Sequence, residues 1–301
     1  MLKKLLSLIL ALALVFTFMA CDSKDRDYDD EDEEDSAVAE NEDKETIIEK
    51  DDVITFEEQV VVDNENYTII IKSIDPEGDW GYTLNAYFEN KTNEDVEFFV
   101  DAACLNDVMC DPYFSTDVAA GKQCNDEISF FQEDLEECGI EKVTSITLTF
   151  SVCEAESWDE RFATEATIYP YGADAHQSYE RISTKDEIVV VDNNDCTMVI
   201  LGVVEDSLWG YELQVYIHNK TASSLELYVD DTSINDIMID GWGSVDTIAP
   251  GKHAYGNILW DEDDLVENGI EEVETIWMEI MLEDWDNYET VYETEIEFAP
   301  F

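Results

Sequence analysis

Apolar and polar residues alternate with a period of two along much of this chain, and the pattern is clearest in residues 208–221. One face of this segment carries Tyr211, Leu213, Val215 and Ile217, and the other carries Glu212, Gln214, Tyr216 and His218. A period of two with one apolar face is typical of a β-strand that lies on a hydrophobic core. The pattern therefore predicts one buried face and one polar face for this strand.

The same pattern occurs a second time in residues 79–92, and Leu84 takes the place of Leu213. Both segments end in Asn-Lys-Thr, and both begin with a Trp-Gly-Tyr marker, formed by Trp80, Gly81 and Tyr82 and by Trp209, Gly210 and Tyr211. Recurrence at one offset indicates a tandem duplication. Each unit has on the order of 115–120 residues, which is enough to bury a core of its own.

Other segments of each unit are rich in β-branched and aromatic residues and are predicted to be strands. They are residues 67–74, 96–100, 143–152 and 163–169 in the first unit and 196–204, 225–229, 273–282 and 291–298 in the second. One short helix per unit is predicted at 133–139 and 261–269, since each segment starts with acidic residues and stops at a glycine. Many strands and one helix predict a mainly β fold, a two-sheet β-sandwich in each unit.

The N-terminal residues have the pattern of an export signal. Lys3 and Lys4 precede an apolar run over residues 5–19, and Ala20 and Cys21 follow it. A charged start, a short apolar run and a small residue predict a signal peptide over residues 1–20. The run is shorter than the roughly 20 residues of a transmembrane helix.

The segment Phe18-Met19-Ala20-Cys21 resembles the processing site of a bacterial lipoprotein precursor, although Phe18 stands where that family usually has leucine. The resemblance implies that Cys21 receives a diacylglycerol group and becomes the mature N-terminus. It also implies a cell-membrane location, lipid-anchored on the extracellular face, with the membrane as a partner. An ordinary cleaved signal is the alternative.

The distribution of charge along the chain adds two expectations. Residues 21–52 are so acidic and polar that they predict a disordered linker, because they cannot bury a core. The formal net charge of the whole chain is −60. Such a surface repels nucleic acid and favours cationic or neutral partners. The predicted order is signal peptide 1–20, linker 21–52, first β-sandwich repeat 53–171, linker 172–187 and second β-sandwich repeat 188–301.

The repeat motifs resemble the immunoglobulin-like modules found in lipoproteins of Gram-positive bacteria. The residues that carry the resemblance are Trp209-Gly210-Tyr211, Asn219-Lys220-Thr221, Ser233-Ile234-Asn235-Asp236, Gly251-Lys252 and Asp264-Leu265. It implies two tandem immunoglobulin-like domains at the cell surface and no particular chemistry. The first repeat departs from it at Cys104, where the second has Ser233.

Calcium is the first candidate ligand, because carboxylate and amide oxygens recur in both repeats. The candidate groups are Asp101, Asn106, Asp107 and Asp111; Asp230, Asp231, Asn235, Asp236 and Asp240; and Asp261–Asp264. The alternative is a shared loop in which these side chains cap backbone groups. A zinc site is not expected, because His176, His218 and His253 are widely spaced and there is no Cys-x-x-Cys motif.

The remaining cysteines, tryptophans and sequons each allow a structural interpretation. Six cysteines follow Cys21, and their pairing is open: Cys104, Cys110, Cys124, Cys138, Cys153 and Cys196. A clip between Cys104 and Cys110 is one option. Four tryptophans are candidates for carbohydrate binding: Trp242, Trp260, Trp277 and Trp285. Trp80 and Trp209 are expected to pack in a core, and the two Asn-Lys-Thr sequons are expected to be turns.

These features together predict a non-catalytic cell-surface lipoprotein that acts as an extracellular binding or spacer module, without a cofactor. An extracellular protein or a glycan is the expected ligand. Two alternatives stay open. One is a calcium-dependent adhesion or carbohydrate-binding protein with weak calcium binding. The other is an envelope hydrolase that uses loop carboxylates, since paired carboxylates about 5–10 Å apart can hydrolyse glycosides.

Overall fold

A computed structural model describes residues 53–204, 207–245 and 247–300, all of which belong to one compact unit, Ile48–Phe301. The predicted signal peptide, the lipid-attachment residue Cys21 and the acidic linker lie outside the described residues. Within them the chain is mainly β and forms two β-sandwiches in tandem, each with one short α-helix. The predicted mainly β, β-sandwich class is confirmed.

The two repeats have the same order of elements. The first comprises β1 Gln59–Asp63, β2 Tyr67–Gly78, β3 Gly81–Asn90, β4 Val96–Leu105, β5 Val108–Met109, β6 Ser115–Val118, β7 Gln123–Phe130, α1 Gln132–Glu137, β8 Ile146–Glu154 and β9 Glu160–Ile168. The second comprises β10 Ile188–Asp192, β11 Cys196–Val203, β12 Gly210–Asn219, β13 Leu225–Ile234, β14 Ile237–Met238, β15 Trp242–Ser244, β16 His253–Asp261, α2 Glu262–Glu267, β17 Ile276–Asp284 and β18 Glu289–Phe298. A 3-10 turn at Ala173–Ala175 lies between them.

Each repeat packs one four-stranded antiparallel sheet against a second sheet. In the first repeat the order β1-β2-β3-β7 faces β4-β8-β9, with β5 and β6 paired to β4. In the second repeat β10-β11-β12-β16, with β15 paired to β16, faces β14-β13-β17-β18. Strand β5 also pairs with β16, so one sheet of each repeat joins into a single ten-stranded sheet.

The apolar face of each Trp-Gly-Tyr strand forms the centre of a core. Leu84 and Leu213 are both fully buried, as the alternation predicts. Phe88 and Phe98 pack against each other in the first core, with ring centroids 5.2 Å apart. The burial of these side chains removes apolar surface from water, which is the main favourable term in folding.

Both predicted helices are present. Helix α2 begins after Asp261, whose side chain accepts a hydrogen bond from the Asp263 backbone N–H at 2.8 Å. Gly139 and Gly269 follow the two helices with φ of 65° and 71°. A left-handed residue after the last turn is the common way to end a helix, and glycine adopts it without steric cost. No helix among the described residues is long and apolar enough to cross a membrane.

The glycine of each Trp-Gly-Tyr marker is required by the backbone. Gly81 and Gly210 have φ of 118° and 142°, and each lies against the carbonyl oxygen at the end of the neighbouring strand. A Cβ on Gly210 would lie 2.1 Å from the Trp260 oxygen, and a Cβ on Gly81 would lie 2.3 Å from the Phe130 oxygen. No side chain fits either position without displacing β16 or β7.

We expect Gly210→Ala to lower the free energy of unfolding by more than about 2 kcal/mol, since it adds both φ strain and a backbone clash. Urea denaturation measures this. Gly202→Ala is the matched control, because a Cβ there meets nothing within 4 Å. Equal effects of the two substitutions would contradict the assigned role of Gly210.

Candidate binding surfaces at the repeat junction and the hairpin tips

The asparagine of each Asn-Lys-Thr segment is a structural residue. Asn90 and Asn219 are both fully buried. The Asn90 amide donates to the carbonyl oxygens of Glu94 at 2.7 Å and Val118 at 2.9 Å. The Asn219 amide donates in the same way to Ser223 and Ile248. Because both amide nitrogens are used and buried, the two sequons act as turns in the folded chain, as expected.

The lysine of the same segment also has a structural partner. Lys91 pairs with Asp63 at 2.7 Å, and Lys220 pairs with Asp192 at 2.8 Å. Each pair connects the turn after the Trp-Gly-Tyr strand to the first strand of its repeat. The aspartates are largely exposed and the lysines partly exposed, so solvent screens each pair and it contributes little to stability. Their recurrence reflects the shared loop geometry.

The Asn-Asp pairs considered as calcium ligands form the tips of two hairpins. Asn106 and Asp107 have φ of 50° and 71°, and Asn235 and Asp236 have φ of 52° and 65°. Positive φ at both central residues defines the type I′ turn, which asparagine and aspartate tolerate.

The amide groups of these turns cap the adjacent backbone. The Asn106 Oδ1 accepts from the Thr144 and Ser145 N–H groups at 2.7 and 3.1 Å, and its Nδ2 donates to Lys142. Asn235 repeats this with Glu272, Glu274 and Thr275. The shared-loop interpretation therefore explains both asparagines. No group of three His, Cys, Asp or Glu side chains placed to hold a metal occurs among the described residues.

The six cysteines after Cys21 are free thiols. Cys104 does not pair with Cys110, and its thiol instead contacts the Met109 sulfur at 3.2 Å. Burial raises the pKa of Cys104 and of Cys138 to about 12. Thiols of this kind are largely protonated at neutral pH and react slowly.

The hairpin formed by β4 and β5 joins the two repeats. The His253 backbone N–H donates to the Asp107 carbonyl oxygen at 3.0 Å, and the Lys252 ammonium contacts the Asp107 carboxylate at 2.5 Å. Val108 pairs with His253 in parallel, and Met109 packs into the core of the second repeat. Val108 and Met109 are buried as a result.

The linker between the repeats covers the outer face of the second sheet. Tyr179 shares a hydrogen bond with Tyr255 through their hydroxyl groups, and the Arg181 guanidinium lies 4.8 Å from the centre of the Tyr216 ring. Tyr216 is 4 % exposed. The alternation assigned Tyr216 to the polar face of β12, and its burial was not predicted because the linker that packs on that face is distant in sequence.

All three histidines of the chain meet at this junction. The rings of His218 and His253 stack with centroids 4.0 Å apart, and the Tyr216 hydroxyl lies 2.7 Å from His253 Nδ1. His176 Nε2 lies 3.7 Å from the Asp107 carboxylate. The wide spacing of the histidines along the sequence hid this arrangement. Strand pairing within the second repeat sets His218 opposite His253, and Asp107 of the first repeat contacts both His176 and the His253 backbone.

The environment of His253 disfavours its charged form. Burial is the main cause that lowers the pKa of His253 to about 4. Protonation of the neighbouring His218 ring would lower it further, the Asp107 carboxylate opposes the shift, and Lys252 adds a smaller lowering effect. Burial also lowers the pKa of His218. Both rings are therefore neutral in the folded protein at neutral pH.

Stability should fall as the pH decreases from 7 towards 4, because the unfolded chain binds a proton at His253 near pH 6.5 and the folded chain does not. We expect His253→Gln to remove on the order of 1 kcal/mol of the loss between pH 7.5 and pH 5, after allowance for partial exposure. Gln123 occupies the matching position in the first repeat and bonds to the Tyr87 hydroxyl at 2.7 Å. Urea denaturation of both proteins at the two pH values measures the difference; identical pH dependence would show that His253 is not responsible.

A cavity of about 210 Å³ lies beside this junction. Its lining includes Asp134 and Glu137 from α1, Cys110 and Cys138 from the first repeat and Tyr255 from the second. Burial raises the pKa of Asp134, helped by Glu133, and burial also raises the pKa of Glu137, helped by Asp134 and Glu212. Both carboxylates lie on α1, so they are not the loop carboxylates that the hydrolase alternative invokes.

The tryptophans of the Trp-Gly-Tyr markers are exposed, which corrects the expectation that they pack in the core. Trp80 is 67 % exposed and Trp209 is 70 % exposed. The tight backbone at the following glycine puts each tryptophan outside the strand, at the turn between β2 and β3 or between β11 and β12. Leu208, next to Trp209, is 88 % exposed.

The tryptophans singled out for carbohydrate binding are divided by the structure. Trp242 and Trp285 are exposed, and Trp277 is half-buried. Trp260 is fully buried, and its indole N–H donates to the Thr232 hydroxyl at 3.0 Å. Trp260 was therefore a wrong candidate, because it lies on the inward face of β16.

No protein-family model matches this chain, and no curated protein matches it. Among solved structures, the YadV chaperone has a TM-score of 0.22 and 11% identity, over 72% of this chain and 92% of that one. A protein of unknown function from Porphyromonas gingivalis W83 has a TM-score of 0.22 and 11% identity, over 80% and 99%. The Salmonella enterica SafA pilin in complex with the SafB chaperone has a TM-score of 0.21 and 8% identity, over 72% and 89%. Scores this low carry no inference about this chain.

Proposed function

We propose that this protein is a non-catalytic binding module, lipid-anchored through Cys21 and displayed on the extracellular face of the cell membrane. The observation that carries the binding role is the exposed tryptophan at the same position of both repeats. A large aromatic side chain in water gives no packing energy. Its presence in the turn before β3 and again in the turn before β12, which we call the tryptophan tips, therefore favours a role in recognition. The anchor rests on the N-terminal sequence pattern alone.

The polar residues common to both repeats support a non-catalytic role. Asn90 and Asn219 hold turns, Asn106 and Asn235 hold hairpins, and Lys91 and Lys220 pair with aspartates. Their recurrence is explained by the fold.

A neutral glycan is the ligand class that the tips favour. The net charge of −60 disfavours anionic ligands, whereas the apolar face of a neutral sugar can stack on an exposed indole without a charge penalty. Two such tips in one chain would let a repetitive ligand be held at two points, which raises the effective affinity.

The predicted anchor has a direct test. A cell expressing the chain and fed a labelled palmitate analogue should incorporate the label into the protein, and Cys21→Ser should abolish it, because the thiol is the acceptor. Added protease should also degrade the anchored protein on intact cells. Label that persists in Cys21→Ser, or an unlabelled wild-type chain, would refute lipid attachment at Cys21.

The predicted binding role is tested with a glycan array. We expect the wild-type protein to bind neutral glycans and the double variant Trp80→Ala, Trp209→Ala to bind about tenfold or more weakly, since stacking area is lost at both tips. Trp158→Ala is the matched control, because Trp158 is also exposed, at 62 %, but lies in the turn between β8 and β9 and not beside a Trp-Gly-Tyr glycine. An array without signal for the wild type, or an equal loss in the control, would refute glycan binding through the tips.

A further inference from the structure

Each of the two strands that meet at the junction between the repeats has a counterpart in the other repeat that is not paired in this way. At the junction, β5 of the first repeat lies between β4 and β16. Its counterpart β14 is at the edge of its sheet in the second repeat, and the counterpart of β16, which is β7, is at the edge of its sheet in the first. Edge strands leave backbone N–H and C=O groups open to pair with another chain.

The β13–β14 hairpin has the same geometry as the β4–β5 hairpin, which docks on the other repeat. Cys104 pairs with Met109 and Leu105 with Val108, and Ser233 pairs with Met238 and Ile234 with Ile237 in the same register. The type I′ tips also match in their positive φ angles. Only the environment differs, since Val108 is fully buried whereas Ile237 is 37 % exposed and Met238 is 59 % exposed.

The edge of β7 also has the residues equivalent to those of β16 that contact the β4–β5 hairpin. Lys252 precedes β16, and Lys122 has the equivalent position before β7. The carbonyl oxygen of each lysine accepts a hydrogen bond at 2.9 Å from the backbone N–H of the buried asparagine, Asn219 or Asn90. Lys122 and Gln123 are exposed, whereas Lys252 and His253 are partly covered by the docked hairpin.

We propose that a second copy of this chain docks β14 on β7, reproducing between molecules the contact that β5 makes with β16 within one. Asp236 of one copy then takes the place of Asp107 and pairs with Lys122 of the next. Ile237 pairs with Gln123 as Val108 pairs with His253. The contact is head-to-tail, so each docked copy still presents a free β14 or β7 to a further copy, and association continues beyond a dimer.

The intermolecular contact is weaker than the internal one for two reasons. No linker covers it, and Glu89 and Asp126 stand where the second repeat has His218 and Gly256. The contact between copies is therefore expected to form only at high protein concentration in solution. A membrane anchor would raise the local concentration, but the inference does not depend on the anchor.

Analytical ultracentrifugation of the full chain carrying Cys21→Ala tests the proposal. The salt concentration is about 0.5 M, because the Debye length is then about 4 Å and long-range repulsion between the acidic copies is screened. We expect the average mass to rise with protein concentration beyond a dimer. Asp236→Lys alone and Lys122→Asp alone should each weaken association at least tenfold, because like charges then meet at the contact. An equimolar mixture of the two variants should associate again, since both contacts then have opposite charges.

Two further variants separate the contact from a folding defect. Met238→Glu places a charge on the exposed β14 and leaves the strained turn residues unchanged, and it should also prevent association. Lys185→Asp is exposed elsewhere and should not. A monomer at every concentration, a mass that stops at a dimer, or association unaffected by Met238→Glu and Lys122→Asp would overturn the proposal. The proposal would also be overturned if the mixture of Asp236→Lys and Lys122→Asp stayed monomeric while Asp236→Lys had the wild-type melting temperature, since a folding defect would then not explain the result.

Discussion

The structure depends on the burial of alternate side chains of β3 and β12 between two sheets. Leu84 and Leu213 are at the centre of these faces and are shielded from water completely. The glycine before each face allows the strand to start in direct contact with the end of its neighbour, at Phe130 in one repeat and Trp260 in the other. The same geometry puts Trp80 and Trp209 outside the core. One packing constraint therefore accounts for both the fold and the candidate binding residues.

The contact between the repeats changes what each of them exposes. The hairpin at Asp107 inserts Met109 into the second core, while Tyr255 of the second repeat packs on the first. Two separate sandwiches thereby share apolar packing and one sheet. The coupling also buries His253 and lowers its pKa, which makes the junction sensitive to acid. For the proposed binding role, a fixed arrangement of the repeats would reduce the entropy lost when both exposed tryptophans engage one ligand.

The sequence predicted the local role of several residues at the candidate surfaces, but not what surrounds them in the folded chain. The recurrence of Asn90 and Asn219 predicted turns, but not that their amides are buried beneath the loop before β7 or β16. The asparagines at 106 and 235 were equally compatible with calcium ligands and with backbone caps, because amide oxygens serve both purposes. A signal for the junction did exist: Asn106-Asp107-Val108-Met109 and Asn235-Asp236-Ile237-Met238 match almost residue for residue. The match indicates a shared hairpin, but not that one copy is covered and the other is open.

The sequence by itself determined the strand content, the duplication, the short helices and the burial of Leu84 and Leu213, because these follow from local periodicity and local turn chemistry. Only the tertiary structure decided the exposure of Trp80, the burial of Tyr216 and the meeting of three histidines. Those outcomes depend on contacts between residues far apart in the chain. A period of two separates the faces of a strand, but what covers each face is set by the packing of other elements.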